Sequence, residues 1–169
     1  MQEIKTQKEK LMAVREIVPY TDNFIRKKSK PVKVFDDKLW ELLDDMRETV
    51  KMANGSGLSA VQVGVLKRVF VVCINEVYLE FVNPEIISTS GKQIHKEGCL
   101  SVKLPFEYVE RPQTVTVSAF DRYGNRFTFT CEGWTAVCVC HENDHLEGVL
   151  YIDKICTPPE GFVDEDEQE

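Results

Sequence analysis

The sequence predicts an α+β domain: small antiparallel or mixed β-sheets packed around a central C-terminal helix, with one further helix near the N-terminus. Three observations lead there. Apolar residues recur at helical spacing after Asp37, β-branched and alternating runs follow between residues 68 and 130, and a late apolar stretch after Gly133 runs into His141-Glu142-Asn143-Asp144-His145.

Residues 1–16 are rich in Lys, Glu and Gln and read as an N-terminal extension, a frayed helix at most. Pro19 and Pro31 punctuate an irregular entry to the main domain, which spans 17–156. Leu39, Trp40, Leu42, Leu43, Met46, Val50 and Met52 then mark a helix, with Asp36 or Asp37 as N-cap and Asn54-Gly55 as its stop. It should cover one side of a sheet. The Gly55-Ser56-Gly57 turn leads to Leu58, and 68–74 is a β-branched run that suits a buried strand. Segments 78–82 and 85–87 read as two further strands. Segments 114–120 and 126–130 form a hairpin across the turn around Gly124. Gly133 opens the last helix and Gly148 ends it. Residues 157–169 read as an acidic, disordered tail.

Bulk properties narrow the function classes. At 169 residues and 43% hydrophobic, the chain can bury one real core. A net charge of −7, with one short basic run at Arg26-Lys27-Lys28 and Lys30, argues against specific nucleic-acid binding; that run reads as a solvated face. No stretch approaches the ~20 apolar residues of a membrane helix, and no signal peptide is evident, so the expected location is the cytoplasm. Six cysteines without a CxxC pair suggest buried small hydrophobes or a metal ligand.

Chemistry concentrates in three blocks. On a helix, His141 and His145 share a face, so both imidazoles can reach one metal ion. Glu142, one step round, could take a proton from a metal-bound water but is badly placed as a third ligand. A catalytic metal needs a third protein ligand and an open position. Downstream, Glu147 is too close; upstream, Glu97-Gly98-Cys99-Leu100-Ser101 offers a thiolate, which suits iron or zinc. The third block, Gly55-Ser56-Gly57-Leu58-Ser59-Ala60-Val61-Gln62, is weak alone, but the Gln62 amide could donate to a developing oxyanion. Taken singly, each block has a plainer reading: solvent-facing histidines, a buried thiol, a helix stop.

Together, in this order, the blocks resemble the peptide deformylase motifs GxGLAAxQ, EGCLS and HExDH. The resemblance also takes in Ile17-Val18-Pro19-Tyr20, Val82-Asn83-Pro84 and the segment from Gly148 to Asp153, covering roughly 17–155. It implies a metal-dependent hydrolase that removes the formyl group from N-formylmethionine at the start of new polypeptides. It implies Cys99, His141 and His145 as ligands, with Fe(II) the native metal and zinc or nickel as replacements. It implies Glu142 as general acid and base, and an oxyanion hole from the Gln62 amide and the Leu100 backbone N–H. The Gly57 backbone would pair with the peptide as an added strand. Trp134, Val137 and Cys138 fall on one helical stripe leading to His141, where the family lines its methionine pocket, although such a stripe can equally be core. The expected state is a monomer, with transient ribosome contact possible; the chain resembles members without the extra C-terminal helix that the family associates with ribosome docking.

Three positions depart from the family pattern. Ser59 stands where Ala is usual, Cys140 where Gln often stands, and Lys103 where Pro is common. They bear on the shape of the cleft and leave ligands and base in place. Two other classes share the HExxH signal: a zinc peptidase with its third ligand downstream, and a deformylase-like fold that only binds.

Overall fold

The computed structural model describes residues 12–164. Two α-helices, α1 (Asp37–Met52) and α2 (Gly133–Leu146), accompany seven strands: β1 (Gly57–Ser59), β2 (Val69–Ile74), β3 (Val77–Ser90), β4 (Gln93–Cys99), β5 (Val102–Arg111), β6 (Thr114–Phe120) and β7 (Arg126–Glu132). Five strands form one sheet in the order β1-β2-β3-β6-β7, and β4 pairs with β5 in a second. Neighbouring strands pair antiparallel throughout both sheets.

The sheet lies between the two helices, and β2 shows why. Val69 and Val71 join a core with Leu39, Leu42, Leu43, Met46 and Val50 of α1. Phe70 and Val72 point the other way, into a core with Ala136, Val139 and Leu146 of α2. Side chains of a strand alternate faces, so a strand covered on both sides is apolar at every position. That accounts for the unbroken apolar run. α1 begins as expected: the Asp36 side chain accepts from the Leu39 N–H at 3.1 Å. It ends at Ala53, and Asn54 follows in the left-handed region at φ 53°.

The expected pair of strands at 78–82 and 85–87 is one long strand. Its ladder with β6 is interrupted between Val82 and Glu85, where Asn83 takes φ 49°. Pro84 cannot donate a ladder hydrogen bond, so the sequence reads as a break where the structure has a bulge. The Asn83 amide clamps both backbone groups of Val32, at 2.7 and 2.9 Å.

Of the N-terminal extension, residues 1–11 lie outside the described part. The portion from Met12 lies along α1 without helix, its Ala13 and Arg15 N–H groups donating to Asp45 and Thr49. Of the acidic tail, residues 165–169 lie outside the described part, while Phe162 packs edge-on against Tyr108 at 5.7 Å and Asp164 accepts from the Tyr108 hydroxyl at 3.0 Å. The tail therefore meets β5 at Tyr108, through the Phe162 ring and the Asp164 carboxylate.

Candidate metal centre

α2 is buried along most of its length, yet it carries Glu142 and His145 into the core at 4% and 1% exposure. Burying such groups is costly unless something charged or coordinating meets them. One helical turn sets the imidazoles of His141 and His145 5.0 Å apart. Cys99 arrives from the other sheet, at the end of β4, where the chain turns through Leu100 and Ser101 into β5. Its Sγ lies 3.4 Å from His145 Nε2, and one ligand atom from each of Cys99, His141 and His145 falls within 4.8 Å of the others. Two nitrogens and a sulfur converging like this suit iron or zinc.

The next layer fixes which nitrogen faces the centre. His141 Nδ1 is 2.8 Å from Glu97 Oε2, which leaves Nε2 for a metal. Glu97 is held by Arg111, whose Nε and Nη2 donate to its two oxygens at 2.7 and 2.9 Å. Arg111 Nη1 also donates to Asp144 at 2.6 Å. Burial would raise the Glu97 carboxyl, but the hydrogen bonds from Arg111 and His141 outweigh it and hold it at about 2. Burial pulls His141 down, yet Cys99 and Glu97 drive it up to about 10: anionic groups surround the point where its ring sits. His145 moves the opposite way under burial and the neighbouring His141, which keeps its lone pair available.

Three further cysteines are plain buried thiols. Burial pushes the thiols of Cys131, Cys138 and Cys140 up to about 11, 12 and 11, so they stay protonated.

Beside the centre lies a cleft of about 340 Å³. All the candidate site residues except the buried His145 line it: Gly57, Gln62, Cys99, Leu100, Trp134, Val137, Cys138, His141 and Glu142. Gln62 is oriented by its own loop. Its Oε1 accepts from the Ser59 N–H at 2.8 Å, so the amide NH₂ faces Cys99 Sγ at 3.5 Å and Ser101 Oγ at 3.1 Å. Gly57 lies on β1, at the edge of the larger sheet. A Cβ there would sit 2.6 Å from Glu142 Oε1, so only glycine lets the carboxylate lie against the strand. Burial pushes Glu142 up to about 7, against the pull of His141 and the Ser59 hydroxyl. Trp134 stands at the mouth, 47% exposed, edge-on to His95, whereas Val137 and Cys138 are buried behind it.

Sequence reasoning missed four contributors. Glu97 stands out in the sequence only as the first residue of its motif. Arg111, across the hairpin, had no local signal at all. Phe106 covers Gly98, where a Cβ would meet its ring at 2.4 Å. Tyr151 stacks on His141 at 6.1 Å.

An α+β fold with two helix-borne histidines, a cysteine and a buried carboxylate around one cleft defines a metal-dependent hydrolase. Residues 14–159 match the family model described as polypeptide deformylase. The chain is 52% identical over 158 residues to the peptide deformylase of Caldicellulosiruptor bescii, covering 94% of this chain and 93% of that one. Among solved structures it resembles a peptide deformylase from Legionella pneumophila (TM-score 0.82, 42% identity, 85% and 87% of the two chains). It also resembles the class I type b enzyme of Acinetobacter baumannii bound to Met-Ala-Ser (TM-score 0.82, 30% identity, 86% and 100%). The chain belongs to the peptide deformylase family, whose members hydrolyse the N-formyl group from the formylmethionine of newly made polypeptides.

Proposed function

We propose that Cys99, His141 and His145 hold one divalent ion, natively Fe(II), and that Glu142 shuttles the proton of formyl hydrolysis. The convergence of the three ligand atoms beside the Glu142 carboxyl carries this reading. When bound, the metal supplies Lewis acidity. The remaining roles fall to the chain itself. Glu142 accepts the proton of the attacking water and delivers it to the amine nitrogen as the C–N bond breaks, releasing formate and a free N-terminus. A carboxyl poised near neutrality can do both. The Gln62 NH₂ and the Leu100 N–H receive the formyl oxygen as charge builds on it. The Gly57 backbone, on an edge strand, pairs with the peptide. Trp134, Val137 and Cys138 wall the methionine side chain; the A. baumannii relative, solved with a methionyl tripeptide, supports a cleft of this use.

The enzyme is expected to act as a cytoplasmic monomer with at most transient ribosome contact. None of the helices is long and apolar enough to cross a membrane, among the described residues. The decisive test is metal analysis combined with formate release from formyl-Met peptides under oxygen-free conditions. Iron-loaded enzyme should lose activity in air, through oxidation of Fe(II) and the ligating thiolate, while nickel- or cobalt-loaded enzyme persists. Full activity in an air-stable, iron-free zinc preparation would overturn Fe(II) as the native metal.

A further inference from the structure

Ser59 is one of the three departures from the family pattern, and it is fully buried against the proton shuttle. Its Oγ lies 2.7 Å from Glu142 Oε2 and 2.9 Å from the backbone O of the same residue. A hydroxyl carries one proton and can donate to only one of these acceptors at a time, while its lone pairs can accept from a third group. The other carboxyl oxygen, Oε1, lies against the α-carbon of Gly57. The carboxyl is thus wedged against β1, one oxygen on the glycine and the other on the serine.

We propose that Ser59 is a positioning residue, whose hydroxyl holds the Glu142 carboxyl in one orientation against β1. The proposal rests on the reading of Glu142 given above. While Oε2 is bare, the Ser59 O–H donates to it. When Oε2 carries the proton taken from water, that O–H donates to Ser59 Oγ, and the serine hydrogen turns to the Glu142 backbone oxygen. A proton on Oε1 leaves the first arrangement intact. The transferred proton passes from water to Glu142 to the leaving amine, and the serine proton never leaves Oγ. No heavy atom has to move, so the aim of the carboxyl survives the change of charge. The alanine usual in the family can neither donate nor accept here.

The test is Ser59→Ala in metal-loaded enzyme, a smaller side chain that the family itself tolerates at this position. Measured quantities are kcat and KM for formate release from a formyl-Met tripeptide, metal content and Tm. The expected result is a loss of about ten- to hundred-fold in kcat, the scale of one hydrogen bond to a charged group, with KM, metal content and Tm little changed. In a Glu142→Asp background, where the carboxyl is withdrawn by one methylene, the same substitution should change kcat by less than about twofold. Wild-type kcat in Ser59→Ala overturns the proposal. So does a kcat loss that tracks metal loss or a raised KM, and so does an equal fold-loss in both backgrounds. A separate variant, Glu142→Gln, tests the underlying reading: near-normal turnover there would sink the role of Glu142 itself, whatever Ser59 does.

Discussion

Glu142 is buried, flanked by His141 and pressed against Gly57, so its substitutions separate chemistry from structure. Glu142→Gln should keep metal content and lose about 10²–10⁴-fold in formate release, the usual worth of a positioned acid–base group. Retained turnover would remove it from the mechanism. Gly57→Ala sets a methyl group 2.6 Å from Glu142 Oε1, and the carboxyl must swing away to accommodate it. Its kcat should fall in parallel with Glu142→Gln although no ionisable group has changed; a normal kcat would mean that the carboxyl has room to give. Trp134→Ala should weaken discrimination for formyl-Met over formyl-Ala peptides by about 1–3 kcal/mol in kcat/KM, because apolar pockets separate neighbouring sizes only weakly. An unchanged ratio would return Trp134 to the rim. Residues were legible in the sequence where a local period or motif pointed at them. His141 and His145 announce themselves by their spacing, and Cys99 by its setting beside Gly98. Arg111 does not, because its meaning comes from a strand partner. Ser59 was visible only as an exception, and its contact with Glu142 exists only once β1 is laid against α2.

At the level of elements, the β4–β5 hairpin carries Cys99 and Glu97, yet its strands are the part of the fold that sequence patterning left unassigned. Gln93, His95, Lys96, Glu97 and Gly98 form neither an apolar run nor a clean alternation, since this two-stranded sheet is only partly buried and Glu97 is turned inward to His141 and Arg111. α1, β2, β6, β7 and α2 were legible because each packs an apolar face with the proper period. Arg111 ties the hairpin to α2 through Glu97 and Asp144. Arg111→Met should therefore destabilise the protein by about 3–5 kcal/mol, since it strands a buried carboxylate, and should also loosen metal binding. Chemical unfolding and metal titration would measure both, and a neutral result would mean that water reaches Glu97. At the other end, Phe162 gives the tail an anchor that its acidic composition concealed. Phe162→Ala should cost about 0.5–1.5 kcal/mol, the worth of an aromatic pair, and leave activity on short peptides intact.

For the molecule as a whole, the same ion pair sets a limit on acid stability. Glu97 falls from its ordinary 4.5 to about 2 on folding, so the folded state binds its proton more weakly than the unfolded chain. Its contribution, at most about 3 kcal/mol, is complete above pH 4.5 and disappears as pH drops towards 2. Tm should fall across that window in the wild type, and the fall should be shallower in an Arg111→Met, Glu97→Met double variant. Equal slopes would assign the acid transition to other carboxyl groups.

The brevity of β1 has an informational consequence. In the pairing proposed for Gly57, a three-residue edge would offer the peptide only a few backbone hydrogen bonds, and those would read the main chain, which is the same in every protein. An enzyme that binds its peptide in this proposed way would read one side chain and then stop reading. It can therefore serve a whole proteome of different N-termini without being tuned to any of them. Across peptides that vary only at the third residue, kcat/KM should form a narrow distribution, while variation at the first residue spreads it widely.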